Sequence, residues 1–374
     1  MARHTLSCCL VVRNEVKQIT DCLDTLTILA YEIIIVDTGS TDGTPSRIRQ
    51  WAKHKKAERN VKVLEVGRKF HDTDGDFDFG GAKTFAMNSA TREYVMWLDA
   101  TDRVTDQKKI KEFFLKETSK NPNSYFAIPT AMSDKFAFVR VRIGPREHSA
   151  MKGRVHEYMT MSSNELTRHF IPVPIQNYKK GRDLNRNLRL LLKEWEVEKA
   201  GRTAFYIALT YKELHNTQEA LNWFKRRVYG FEFDNEFREE YFKAYEMVAE
   251  ILTRGTKLKN VHEADLYDTA REMIDMSPKR FEGYYYLAQY YIKKREFEQA
   301  IKLLRKYKEC GKPKTYNLWL NPQIYSGKAI LGSIEKCKTA LKYAEVLKPD
   351  EILDYGPHKG PGSSTMKLGN SQYM

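Results

Sequence analysis

Apolar and polar positions divide the first half of the chain into short strands and helices. Leu6–Val12 and Glu32–Val36 are continuous apolar runs of the kind that forms buried strands. Val61–Val66 alternates, and Tyr94–Leu98 is again apolar. Apolar residues at helical spacing predict helices between these runs, over Val16–Leu29, Pro45–Ala52 and Gly81–Thr91. This order of elements predicts an α/β domain with a mostly parallel sheet that helices cover.

The second half changes to long amphipathic helices with an internal repeat. Ile207-Ala208-Leu209 recurs as Leu287-Ala288, and Gln218-Glu219-Ala220-Leu221 recurs as Glu298-Gln299-Ala300-Ile301, both 80 positions later. A weaker copy lies between them, so each helix pair spans roughly 40 residues. The pattern resembles tetratricopeptide-type repeats, which stack into a solenoid with a concave groove. A last pair is predicted from Pro322 to Leu347.

These patterns predict two domains and a tail. Residues 1–180 form the α/β domain, and residues 183–348 form an all-α domain of helical repeats. Residues 355–374, which include Gly-Pro-His-Lys-Gly-Pro-Gly-Ser-Ser, are predicted to be a flexible end.

Composition narrows the class of protein. The net charge of +14 favours anionic partners such as nucleotide diphosphates, nucleic acid or an acidic surface, although the charges are scattered and form no dense basic arm. The five cysteines include no CxxC pair, which argues against a disulfide framework or zinc site and favours the reducing cytoplasm. No apolar run approaches the roughly 18–20 residues that span a bilayer.

Acidic residues follow the ends of two predicted strands, where open α/β sheets bind ligands. Asp37 opens the loop Asp-Thr-Gly-Ser-Thr-Asp-Gly-Thr, which suits a base or ribose but also a capped tight turn. Asp99 and Asp102 follow the fourth strand and are suitable oxygen ligands for Mg²⁺ or Mn²⁺, although an isolated D-x-x-D is more often a cap or turn. His156 and Glu157 could supply a metal ligand and a general base, or simply polar surface.

In this order, the segments resemble family 2 glycosyltransferases of GT-A fold, especially the subgroup with C-terminal tetratricopeptide-like repeats. The resemblance runs through Arg13-Asn14-Glu15, Glu32–Thr44, Phe79–Ala90, Tyr94–Asp102 and Gly153–Glu157, and the repeats follow where that subgroup places them. The Glu32–Thr44 segment is the most specific part of the match.

The resemblance implies roles for the matched residues. Asp37 would contact the nucleobase, with Asn14 and Glu15 at the nucleotide site. Asp99 would contact the ribose and the metal-bound diphosphate, and Lys83 would hold phosphate as a point charge. His156 and Glu157 would lie beside the transferred sugar, Glu157 as the base, with Asp76 and Asp78 as rivals.

Two positions depart from the family pattern. Thr101 replaces the second acidic residue of the D-x-D motif, so the predicted metal ligands are Asp99 with Asp102, and His156. Asn177 replaces a histidine in a segment similar to I-x-H-Y, so a late metal ligand is missing.

The sequence therefore predicts an inverting, metal-dependent glycosyltransferase that uses Mn²⁺ or Mg²⁺ and a nucleotide-sugar, with a UDP-sugar as the expected donor. The acceptor is open among a peptide or protein, a glycan and modified DNA. The alternative is a non-catalytic repeat scaffold that carries a degenerate transferase domain.

Overall fold

The structure is a computed structural model that describes residues 4–133, 136–178, 181, 183–232, 238–255, 258–262, 264–310 and 324–346. The α/β domain begins with β1 (Leu6–Val12), α1 (Ile19–Asp24), β2 (Glu32–Asp37), α2 (Thr44–His54), β3 (Val61–Glu65), α3 (Phe79–Asn88) and β4 (Tyr94–Leu98). It continues with β5 (Asp102–Val104), α4 (Gln107–Lys120), β6 (Ser124–Ser133), β7 (Phe136–Pro145), β8 (Ser149–Lys152), β9 (Tyr158–Met161), β10 (Thr167–Phe170) and β11 (Ile175–Asn177).

The main sheet has the strand order β3-β2-β1-β4-β7-β6-β11-β5, and β10 also pairs with β6. The prediction of a parallel sheet holds for β3, β2, β1 and β4. Beyond β4 the sheet is mixed, because β7 runs antiparallel to both β4 and β6. β8 and β9 form a separate antiparallel pair. The first four strands thus direct their carboxyl ends to one edge, as the sequence predicts.

The two faces of the sheet bury different apolar clusters. Cys8 packs in the cluster with α1, α2 and α4, whereas the adjacent Cys9 packs in the cluster with α3, as expected for neighbours on one strand. Trp97 is 1% exposed in the α3 cluster, and burying an apolar side chain stabilises a fold by about 1.5–3 kcal/mol. This layer holds α3 against the sheet.

The helical-repeat domain consists of α5 to α12. Their bounds are α5 (Leu184–Val197), α6 (Gly201–Glu213), α7 (Thr217–Tyr229), α8 (Arg238–Thr253), α9 (Ala264–Met276), α10 (Phe281–Lys293), α11 (Phe297–Arg305) and α12 (Gly327–Val346). The small residues that the repeat places at helix crossings, Ala208, Ala220, Ala288 and Ala300, are all 0% exposed. The helical-repeat prediction is confirmed in α6–α7 and α10–α11, with α8–α9 as the weaker copy between them.

Several predicted elements differ in extent. The first helix is only Ile19–Asp24, because the Thr25 amide and hydroxyl both bond the Cys22 carbonyl and turn the chain. Pro322, Leu347 and the predicted tail from Tyr355 lie outside the described residues. Within the part of the chain that the structure describes, no helix combines the length and apolar character that a bilayer crossing requires.

Candidate active site

Asp37, the last residue of β2, organises the loop that follows it. Its Oδ1 accepts hydrogen bonds from the amides of Gly39 at 3.0 Å and Ser40 at 2.9 Å. Gly39 has φ +93°, a backbone conformation that suits glycine. Asp37 is only 2% exposed, and its Oδ2 is a buried atom without a hydrogen-bond partner. An unsatisfied buried acceptor is costly, so a ligand N–H or O–H that reached it would be stabilised.

Asn14 and Glu15 lie beside this loop and hold it. Asn14 has φ 56°, accepts from the Thr41 amide at 2.8 Å, and donates its own amide to Ser40 Oγ at 2.9 Å. The Glu15 amide donates to Thr44 Oγ1 at 2.8 Å. Both residues therefore border the Asp37 loop, while their predicted contact with nucleotide stays a prediction.

Asp99, Lys83 and Glu157 meet at the carboxyl end of β4. Lys83 Nζ donates to Asp99 Oδ1 at 2.8 Å and forms an ion pair with Glu157 Oε1. The Lys83 side chain is 5% exposed, which differs from the predicted role of a phosphate-binding point charge. Its ammonium instead bridges two carboxylates, one of them the candidate base.

The charged side chains of this cluster stay ionised because opposite charges lie next to each other. Burial opposes charge on Lys83, but Asp99 and Glu157 outweigh burial and raise its pKa. Burial and Asp99 would raise the pKa of Glu157, but Lys83 outweighs them and the pKa is lowered. Glu157 is therefore an ionised carboxylate at neutral pH, the form that a general base requires.

Close packing of α3 brings these three residues together. A Cβ on Gly80 would lie 2.6 Å from the Gly153 carbonyl oxygen, so only glycine permits this approach. Asp78 caps the helix by accepting from the Gly81 amide at 2.9 Å. Because this cap occupies Asp78, it is not well placed as a rival to Glu157.

The Asp102 carboxylate is buried in a hydrogen-bond network. It is 0% exposed, and its Oδ2 accepts from Arg142 Nη1 at 3.0 Å and from the Asp99 amide at 2.9 Å. Its Oδ1 accepts from Asn177 Nδ2 at 2.6 Å. Both carboxylate oxygens of Asp102 are thus engaged inside the protein, and its predicted role as a metal ligand stays a prediction.

Asn177 has a structural role in the same network. Its amide also lies 3.2 Å from Thr101 Oγ1. The two residues that depart from the family pattern thus contact each other and support the turn that carries Asp99.

The predicted three-residue metal set does not assemble. His156 has a left-handed backbone with φ 56°, and its ring stacks on Tyr206 with centroids 4.2 Å apart. No group of three His, Cys, Asp or Glu side chains suitable for a metal occurs among the described residues. The Asp99 side chain is 29% exposed, so it fits a cation of the kind that takes one carboxylate together with substrate phosphates.

Comparison with known proteins identifies the α/β domain. Residues 7–122 match the model of the family described as Glycosyl transferase family 2. The chain carries a family 2 glycosyltransferase domain. This domain includes the Asp37 loop, Lys83 and Asp99.

Two curated proteins are also similar to this chain. The chain is 30% identical over 103 residues to a TPR repeat-containing protein of Synechococcus elongatus, which is 28% of this chain and 22% of that protein. It is 23% identical over 252 residues to the SPbeta prophage-derived glycosyltransferase SunS of Bacillus subtilis, which is 63% of this chain and 56% of SunS. The chain thus spans about half or less of these relatives' lengths.

A solved structure is also similar. The crystal structure of S. aureus TarS 1-349 is 12% identical, with a TM-score of 0.37, over 83% of this chain and 93% of that one. The mixed sheet and the family match of residues 7–122 agree with a GT-A fold, and the helices that follow agree with TPR-like repeats.

Arg140 of β7 is a residue of the glycosyltransferase domain that sequence reasoning missed. Three cations surround the ring of Trp97, with Lys83 Nζ 4.3 Å, Arg142 Cζ 3.8 Å and Arg140 Cζ 5.6 Å from its centroid. The first two are paired with carboxylates, whereas the Arg140 side chain makes no hydrogen bond or ion pair with any residue that the structure describes. The Arg-x-Arg spacing on a predicted strand was the available indication, since residues two apart share a face.

Electrostatics places Arg140 near the candidate site. Burial and the neighbouring Arg142 lower its pKa, and the charges of Asp99 and Glu157 act in the opposite direction. Since its donors are unused, Arg140 can bind an anion next to these carboxylates.

Proposed function

We propose that the protein is an inverting glycosyltransferase that moves a sugar from a nucleotide-sugar, preferably a UDP-sugar, to an acceptor hydroxyl or thiol. The observation that carries this proposal is the Asp99–Lys83–Glu157 cluster at the strand edge of a family 2 domain. The same edge carries the unsatisfied Asp37 Oδ2. Residues 1–180 would form the catalytic domain, and residues 183–348 the repeats that face the acceptor.

Each residue has a distinct part in the proposed reaction. Asp37 receives a hydrogen bond from the nucleobase, and Asp99 faces the ribose and diphosphate. The acceptor oxygen or sulfur attacks the anomeric carbon while the bond to the diphosphate breaks, and the acceptor proton passes to Glu157. His156 lies beside the transferred sugar. Inversion follows because the acceptor attacks from the face opposite the leaving group.

Divalent metal belongs to the same proposal. Mn²⁺ or Mg²⁺ held by Asp99 and the donor's diphosphate oxygens would offset the negative charge of the leaving group. Asp102 is left out of this ligand set, since Arg142 and Asn177 occupy its carboxylate.

The charge of the chain bears on the acceptor. A net charge of +14 suits an anionic acceptor, and a peptide or protein, a glycan and DNA remain the candidates. The repeats offer an extended surface for any of them.

The test is donor hydrolysis by the purified protein over a panel of nucleotide-sugars, with Mn²⁺, with Mg²⁺ and with a chelator. We expect metal-dependent release of nucleoside diphosphate from one donor, and loss of this activity in Asp99→Ala. Asp268→Ala is the matched control, because Asp268 is an exposed carboxylate of α9. Wild-type activity in Asp99→Ala would contradict the proposal. Absence of hydrolysis together with absence of a UDP-induced thermal shift would instead favour the scaffold alternative.

A further inference from the structure

The segment of residues 153–158, which carries the candidate base, is held from the helical side. Glu194 of α5 accepts the Arg154 amide on Oε2 at 2.6 Å, and its Oε1 accepts from Thr203 Oγ1 of α6 at 2.9 Å. One carboxylate therefore links the segment to the first two helices of the repeat domain.

A second contact lies next to Glu157. The His156 ring stacks on Tyr206 of α6 with an interplanar angle of 14°. His156 has φ 56°, and non-glycine residues keep such a backbone only where their surroundings hold it. The aromatic stack is a contact that can hold it.

Tyr206 is itself fixed by charged neighbours. Its hydroxyl donates to Glu240 Oε1 of α8 at 3.0 Å and accepts from Arg202 Nη2 at 3.2 Å, and Arg202 forms an ion pair with Glu240. Arg202 also lies over the ring of Tyr158, with its Cζ 4.6 Å from the centroid. The contacts to His156 and Tyr158 thus come from α6, with α8 behind it, whereas α5 contacts Arg154.

We propose that Tyr206, with Arg202 and Glu240 behind it, is a positioning residue that sets the backbone of His156 and so directs the Glu157 carboxylate. The repeat domain then completes the catalytic site and is more than a tethered acceptor module. This inference rests on the proposed function, in which Glu157 takes the acceptor proton. Misplacement of a catalytic group by about 1 Å can cost on the order of 100-fold in rate.

The first experiment compares Tyr206→Leu, Tyr206→Phe and Glu240→Gln by steady-state donor turnover and by UDP binding in calorimetry. We expect Tyr206→Leu to lower kcat by about 10- to 100-fold, with the KM for donor and the Kd for UDP nearly unchanged. Tyr206→Phe keeps the stacked ring and should retain most of kcat, while Glu240→Gln should fall between. Tyr286→Leu is the control for lost stability, because Tyr286 is 2% exposed in α10.

The second experiment does not depend on turnover. Amide hydrogen exchange of the 153–158 peptide, followed by mass spectrometry, should become faster in Tyr206→Leu and stay slow in Tyr206→Phe and Tyr286→Leu. Unchanged exchange in Tyr206→Leu, or an equal kcat loss in Tyr286→Leu, would overturn the positioning role. A wild-type protein that hydrolyses no donor would refute the proposed function separately, while the exchange result would still decide whether Tyr206 holds this segment.

Discussion

At the scale of single residues, ion pairs hold the charged side chains of the candidate site together. Asp99 and Glu157 both pair with the ammonium of Lys83, and Asp102 pairs with Arg142. The two neighbouring aspartates therefore differ in accessibility, since Asp102 is 0% exposed and Asp99 remains open to a ligand.

The first prediction separates these two aspartates. Asp102→Ala should lower the free energy of unfolding by about 3–5 kcal/mol, because it leaves the Arg142 guanidinium buried without its anion. Asp99→Ala should cost less stability and abolish donor turnover. Urea unfolding followed by circular dichroism measures the stability of both variants, and donor hydrolysis measures their turnover. An Asp102→Ala protein of normal stability whose turnover no longer responds to Mn²⁺ would support Asp102 as a metal ligand.

Arg140 provides the second prediction. If its guanidinium binds the donor diphosphate, Arg140→Gln should weaken UDP binding by about 10- to 100-fold, the value of a charged hydrogen bond. Uridine, which lacks phosphate, should bind wild type and variant alike. Calorimetry with both ligands decides the point, and an equal loss for uridine would mean that Arg140 acts on the nucleoside pocket or on folding.

At the scale of elements, α3 controls whether the cluster forms, because it carries Lys83 and approaches residue 153 through Gly80. The third prediction follows from this approach, since a Cβ on residue 80 would lie 2.6 Å from the Gly153 carbonyl oxygen. Gly80→Ala should lower stability by about 1–3 kcal/mol through overpacking, and should lower turnover by displacing Lys83.

Gly332 in α12 is the matched control. A Cβ there meets nothing within 4 Å, so Gly332→Ala should stabilise its helix by about 0.5–1 kcal/mol. Thermal unfolding and donor hydrolysis of both variants provide the measurement. Equal effects at the two positions would show that α3 tolerates the added methyl group.

The local pattern of apolar residues was sufficient to predict some strands and helices but not the contacts between distant segments. The buried runs of β1, β2 and β4 and the repeat alanines are readable because apolar periodicity is a local property. The partner of Asp102 is Arg142, 40 positions away. The short strands β5 and β11 pair with each other, and β11 also pairs with β6. Such pairings depend on tertiary geometry, so local pattern could not show that Arg142 and Asn177 engage Asp102, the residue predicted as a metal ligand.

At the scale of the whole molecule, an acidic loop of the α/β domain forms ion pairs with the first helix of the repeat domain. The loop, residues 72–76, carries Asp72, Asp74 and Asp76, which pair with Arg154, Arg189 and Lys193. Hydrogen bonds from Arg189 and Lys193 lower the pKa of Asp76, and a hydrogen bond from Arg154 lowers that of Asp72.

The fourth prediction concerns pH. A lowered carboxyl pKa contributes stability above the ordinary value of 3.8, and this contribution is lost as pH falls through the folded-state value. Asp76→Asn should therefore lower the melting temperature at pH 7 by about 2–4 °C, and the deficit should shrink on acidification below pH 4. Calorimetry between pH 7 and pH 3 measures this, with Asp268→Asn as the control at an exposed carboxylate outside the loop. A deficit that is constant over this pH range would contradict the ionic origin.

The stacking of Tyr206 on His156 has a practical consequence for engineering. A chimera that exchanges repeats to redirect acceptor choice should keep α5, α6 and α8 of the recipient, since Glu194, Tyr206 and Glu240 lie on them. A fusion point after Thr253 preserves that set, whereas one near residue 181 would place a foreign helix against the segment that carries the candidate base, Glu157.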